Sequence, residues 1–290
     1  MKKVTERLLV FFIGVPAVVG IVLFLDFQNH LLLNIIVILF SAAGAVEFSS
    51  MLEKKQMYIS KIKAFILGAL APAALALTIN FSFFEEWIIP LLIMAGISWI
   101  LLPIAFSSLA QIETAASRLA AGFSVLVYPG FFMYWLIKMT AWGANAGIVI
   151  LIFLLIPLCS DASAWLTGTL LGKNNKGIIP ASPNKSIAGF IGGIAGSIII
   201  SGGAALIVPH VFVSCIENIP HIVMTIILGI CTGLASTLGD LAESAIKRSC
   251  DTKDSGNLML GRGGILDSID SIATSAPVFF VLYNVFFINS

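Results

Sequence analysis

Charge is scarce in this sequence. Asp, Glu, Lys and Arg make up 11% of its 290 residues and 59% are hydrophobic, against about a quarter charged in an ordinary soluble domain. That balance excludes a water-soluble fold. Cysteine is equally sparse: Cys159, Cys215, Cys231 and Cys250 show no Cys-x-x-Cys spacing, which favours packing over a zinc or redox role. The three histidines, His30, His210 and His221, stand apart from one another and leave no transition-metal cluster. No Gly-x4-Gly-Lys-Ser/Thr loop of the Walker type is present. A net charge of +1 supplies no field for nucleic acid. Internal repeats and low-complexity linkers are absent as well.

Long apolar runs are what the sequence has in abundance. A spanning helix needs about 20 mostly apolar residues, and runs of that order predict nine spans near 8–25, 31–48, 64–81, 87–106, 119–137, 146–166, 187–208, 222–240 and 267–287. The fold class expected is an all-α polytopic helix bundle. The first run, after Lys2, Lys3 and Arg7, is longer than the apolar core of a signal peptide and no small-x-small cleavage site follows it, so an uncleaved helix is expected. With a cytoplasmic N-terminus, every one of the sixteen basic residues except Lys138 falls on the inner side, as the positive-inside rule asks. The expected location is a bacterial inner membrane, with any site facing the cytoplasm.

Chemistry-bearing residues gather in the second half. Residues 1–150 read as plain membrane helices, and 151–290 as a catalytic region with acids, cations, Gly and Ser/Thr at or near membrane depth. Ionisable groups within spans are costly and mark functional positions by default; here they are Asp161, Asp240, Glu243, Asp267 and Asp270. Asp240 with Glu243, and Asp267 with Asp270, are spaced i,i+3, so each pair shares a helical face. A stripe of Thr225, Gly229, Thr232, Ser236, Asp240, Ser244 and Lys247 runs along the same helix, a pattern that also serves tight helix packing in lipid. The loop between carries Lys247, Arg248, Lys253, Asp254, Arg262, Gly263 and Gly264, where cations and Gly turns suit phosphate and the acids suit Mg²⁺.

These residues resemble a known family. Ser244-Ala-Ile-Lys247-Arg248-x4-Lys253-Asp254-Ser255-Gly256, then Gly263-Gly264-x2-Asp267-x2-Asp270-Ser271, is similar to the signature of the phosphatidate cytidylyltransferases, or CDP-diacylglycerol synthases. Asp161-Ala-Ser-Ala-Trp165-x2-Gly168-x3-Gly172-Lys173 and Ser182-Pro183-Asn184-Lys185-Ser186 resemble the family's other diagnostic segment. Departures fall at Leu260 and Arg262, where the family has Pro and His, at Ser268, where it has Arg, and at Ile187 and Ala188, where it has Trp and Glu.

The resemblance implies transfer of the cytidylyl group of CTP to phosphatidate, with Mg²⁺ and a possible second cation as cofactors. It implies Asp240, Lys247, Lys253, Asp254, Asp267 and Asp270 as catalytic, with Asp240, Asp267 and Asp270 on the metal. Asp161, Lys173, Ser182, Lys185, Ser244, Arg248, Arg262, Gly263 and Gly264 would bind substrate, and a homodimer is expected. A CTP-dependent enzyme of polyprenol or ether lipids would share most of the metal site. An ion-coupled transporter would instead place its acids near the bilayer midplane, and a relative that has lost activity would carry the same departures.

Overall fold

A computed structural model describes residues 10–81, 83–216, 219–259 and 263–288. Among these, eight helices are long and apolar enough to cross a membrane. They are α2 (Phe27–Glu53), α3 (Lys61–Asn80), α4 (Ile88–Ala105), α5 (Ala115–Met139), α6 (Ala146–Leu171), α7 (Ile187–Ile207), α8 (His221–Ser249) and α9 (Leu266–Phe287). In the place of the first expected span stands a shorter apolar helix, α1 (Val15–Phe24). The chain is a multi-pass helical membrane protein. The largest difference from the hydropathy boundaries is at α8, which continues nine residues past 240 and carries Lys247 and Arg248 on helix rather than loop.

The chain divides into two compact units, Met1–Gly143 with Lys247–Ile269, and Ala144–Ile246 with Asp270–Ser290. Lipid tails are as apolar as Leu, so helices in a bilayer associate by close packing of small residues and by buried hydrogen bonds. The first unit follows this rule where α2, α3 and α5 meet. A Cβ on Gly68 would lie 2.4 Å from Ala45 Cβ, so only glycine permits the approach of α3 to α2. Pro129 has no N–H to give the helical ladder, and α5 loosens there into a π-turn over Leu126–Phe131. The buried Ser41 hydroxyl lies within hydrogen-bond reach of the carbonyls of both Gly68 and Pro129.

The second unit packs on the same logic with more hydroxyls. Gly192 of α7 faces Thr167 of α6, Gly196 faces Ser163, Gly229 of α8 faces Ser201, and Gly239 faces Thr274 of α9. The Gly and Ser/Thr stripe of α8 is therefore helix-packing surface over Thr225–Ser236, all four of its named positions being buried. Phe279 of α9 stacks on Tyr283 with ring centroids 5.6 Å apart and meets Phe153 of α6 in a tilted contact at 5.1 Å. The Tyr283 hydroxyl donates to the Val211 carbonyl.

Candidate active site

In the second unit a cavity of about 400 Å³ opens between α6, α7, α8 and the loop before α7. The loop is folded upon itself. Gly177, at a φ of +82° that favours glycine, donates its N–H to the Pro183 carbonyl, and Ile187 N–H donates to Asn175. Ser186 ends the loop as the N-cap of α7, accepting from Gly189 N–H at 3.0 Å. The same hydroxyl fills the space over Gly168 and Gly172, where a Cβ would come within 3.0 and 2.5 Å of it. Two of the diagnostic glycines thus serve to bring α6 against the cap of α7.

This folding carries Lys176, Asn184 and Lys185 to the cavity wall beside Asp161 and Trp165 of α6 and Thr237 and Asp240 of α8. Lys185 is ion-paired with Asp240, and both side chains are partly exposed at the opening. Ser244, one turn on from Asp240, donates to its Oδ1 at 3.4 Å. Two ammonium groups, two carboxylates, an amide and hydroxyls around a water-accessible hollow suit a polyphosphate and a polar heterocycle, with metal or lysine able to offset the acids. Lys173 is exposed. Neither it nor Ser182 lines the cavity; Ser182 instead accepts Lys185 N–H through its carbonyl and so shapes the turn.

The first unit holds a second acid–lysine pair, more deeply set. Lys247 of α8 is paired with Asp267 Oδ1, the side chains being 13% and 9% exposed. Asp267 Oδ2 accepts from Gly264 N–H at 2.7 Å, Ser255 N–H at 2.9 Å and the Ser255 hydroxyl at 3.0 Å. Gly263, at a φ of +108°, lies between Asp254 and Asp267. Ser255 and Gly264 therefore converge on one carboxylate, and Lys247 supplies the compensating charge that a buried carboxylate requires. Lys253 and Asp254 are exposed on this loop, and Arg248, also exposed, donates to the Thr252 carbonyl at 3.4 Å. Arg262 and Leu260 lie outside the described residues. Just beyond the spans Lys55 pairs with Asp251 at 2.8 Å, and that hydrogen bond holds the Asp251 carboxyl below, and the Lys55 ammonium above, its usual pKa.

Sequence reasoning missed Glu47. It sits near the end of α2, 6% exposed, in the half expected to carry no chemistry. Its Oε2 accepts from Leu266 N–H at 2.9 Å and from the Ser255 hydroxyl at 3.0 Å. Its carboxylate lies against Gly256 and Gly264, where a Cβ would stand 2.2 and 2.3 Å from its oxygens. Glu47 thus fastens both ends of the loop that holds Asp267, and these two motif glycines are required by Glu47. The available signal was an isolated acid inside an apolar run.

The model of the cytidylyltransferase family matches residues 5–286. The phosphatidate cytidylyltransferase of Bacillus subtilis (strain 168) is 30% identical over 253 residues, 86% of this chain and 88% of the relative. The chain belongs to the cytidylyltransferase family. The phosphatidate cytidylyltransferase of Staphylococcus haemolyticus is 36% identical over 133 residues, 46% of this chain and 48% of the relative. "Uncharacterized protein YnbB" of Escherichia coli is 32% identical over 148 residues, 50% of this chain and 46% of the relative. The chain spans about half the length of these last two relatives.

Within the family's motifs the remaining acids are placed as follows. Asp270, 6% exposed, accepts its neighbour Ser271 N–H at 2.6 Å, and its backbone oxygen closes over Gly239. Glu243 is buried at 1% exposure. Among the described residues no three His, Cys, Asp or Glu side chains gather into a metal-binding group. Carboxylate oxygens, such as those of Asp240 in the second unit and Asp267 in the first, are hard donors of the kind Mg²⁺ takes. Asp240 and Asp267 each aim one carboxylate oxygen at an ammonium group, so each already presents a hard oxygen where a cation is stabilised. Ser268, which replaces the family's usual Arg, donates to the Gly264 carbonyl at 3.3 Å.

Proposed function

We propose that this protein transfers the cytidylyl group of CTP to phosphatidate, forming CDP-diacylglycerol and pyrophosphate at the cytoplasmic face of a bacterial inner membrane. The observation that carries the reading is the walled cavity with Lys176, Lys185 and Asp240 at its rim. The names borne by the Bacillus and Staphylococcus relatives support phosphatidate as the acceptor.

In this reaction a phosphate oxygen of phosphatidate attacks the α-phosphorus of CTP, and the bond from that phosphorus to the β-phosphate oxygen breaks. Both reactants are anions, so the protein's work is charge neutralisation and in-line placement. Lys185 and Lys176 take the triphosphate oxygens, with Asp240 holding Lys185 extended until the nucleotide arrives. Asn184 and Thr237 offer hydrogen bonds within the cavity. Lys247, paired with Asp267, is assigned to phosphate neutralisation, and the exposed Lys253 and Arg248 add positive charge. Asp240, Asp267 and Asp270 are the acids assigned to Mg²⁺, which supplies Lewis-acid stabilisation of the phosphate oxygens when bound. A homodimer is the expected assembly.

The test is purified protein with CTP and either phosphatidate or polyprenyl phosphate, reading the lipid product by mass spectrometry. CDP-diacylglycerol should form with phosphatidate, stop on chelation and return with Mg²⁺. Product from polyprenyl phosphate alone would reassign the acceptor, and turnover in excess chelator would remove the metal from the account.

A further inference from the structure

A second, smaller cavity of about 160 Å³ lies wholly in the first unit, where α3 begins, α4 ends and α5 begins. Its charged walls are Lys63 and Arg118, and neither forms an ion pair with any described residue. We propose that this cavity is a binding site for the phosphate of an anionic phospholipid headgroup, separate from the catalytic region.

The two cations are held there for identifiable reasons. In α4 the Trp99 carbonyl would accept from residue 103, but Pro103 has no N–H. Lys63 donates to that carbonyl at 2.6 Å and lies 5.4 Å from the Trp99 ring centroid. It therefore reaches across to α4, whereas a snorkelling lysine would extend into water. Arg118 donates through Nη2 to the Ser107 hydroxyl at 2.6 Å and the Gln111 carbonyl at 3.0 Å. Its Nε is buried with no hydrogen-bond partner among the described residues. These bonds fix the two side chains but bring no negative charge, and an orphaned guanidinium N–H beside a like charge is costly.

Phosphate answers that need. Ser60 caps α3 by accepting Lys63 N–H, and the first backbone N–H groups of α3 have no partner within the helix, which favours an anion at this end. Ile59, Ile100 and Ile104 give the cavity an apolar side, as a headgroup continuing into acyl chain requires. All three helix ends lie at the limits of spans, the depth of lipid phosphates. Basic pockets between membrane helices bind anionic headgroups for the same reasons.

The test places the protein in nanodiscs with brominated-chain phosphatidylglycerol or phosphatidylcholine. Trp99 fluorescence is read as the difference between the parent and Trp99→Phe, which keeps the backbone carbonyl. Quenching should favour phosphatidylglycerol by about thirtyfold in effective affinity, about 1 kcal/mol being typical for each of the two cations near a lipid surface. Lys63→Gln with Arg118→Gln should abolish the preference, while Lys63→Arg, which keeps the charge and guards against misfolding, should retain it. Loss of the preference on adding inorganic phosphate would support the phosphate site but make free phosphate its ligand. Equal quenching by both lipids in the parent, or an unchanged preference in the double variant, would overturn the proposal.

Discussion

Asp267→Asn is expected to lower turnover of CTP by at least about tenfold to a hundredfold, the usual cost of disturbing a ligand or its support at a catalytic metal. The protein should remain folded and inserted. The carboxylate accepts four hydrogen bonds, one from Lys247 on Oδ1 and three from Ser255 and Gly264 on Oδ2. An amide of the same shape has one acceptor oxygen and one NH₂ donor. Either orientation therefore sets the NH₂ against donors, opposite Lys247 or opposite the loop. It also leaves the Lys247 ammonium partly buried without its counter-charge, a larger penalty than the pair itself is worth. The control is Glu85→Gln, a substitution in an exposed loop of the first unit where little change is expected. Turnover and detergent-solubilised thermal midpoint are measured together. Equal turnover for Asp267→Asn and the control would exclude this carboxylate from the site.

Glu47→Leu is expected to damage both turnover and stability, although Glu47 is about two hundred residues from the loop in sequence. The leucine strands the Leu266 N–H, at a cost of about 1–3 kcal/mol when buried and unmet, and removes one of the two carboxylates within reach of the Ser255 hydroxyl. Because Ser255 bridges Glu47 and Asp267, its displacement loosens the Asp267 carboxylate. Glu47→Gln keeps shape and one acceptor oxygen, so it should recover most of the stability and a larger share of KM than of kcat. Full turnover in Glu47→Leu would show that the loop holds its form without this fastening.

The helices were legible because each is a run of apolar residues about as long as a bilayer is thick. Their polar ends were not. Hydropathy stops at 240, where the first acid appears, yet α8 continues to Ser249 because its charged residues lie on regular helix, with Lys247 and Arg248 in the last turn. Spacing along one helix could group Asp240 with Ser244, and the structure joins them. Spacing could not pair Lys185 with Asp240 or Lys247 with Asp267, since those contacts depend on how loops fold back. Lys176 escaped notice because positive charge between spans is expected from topology alone. Glu47 escaped because one acid in an otherwise plain helix has no partner visible in sequence. Gly256 and Gly264, in the loop whose glycines suit phosphate, stand against Glu47, and Gly168 and Gly172, motif positions with no role assigned from sequence, stand against Ser186.

The central claim is nucleotidyl transfer onto a lipid phosphate, and the fate of the individual CTP phosphates tests it most directly. Protein in phosphatidate-containing micelles with Mg²⁺ is given CTP labelled at the α-phosphorus in one reaction and at the γ-phosphorus in a parallel one. The account predicts that the α-label moves into the organic-soluble lipid while the γ-label leaves as pyrophosphate. Appearance of the γ-label in lipid would mean phosphoryl transfer, and α-label that stays water-soluble while CTP is consumed would mean hydrolysis; either result contradicts it.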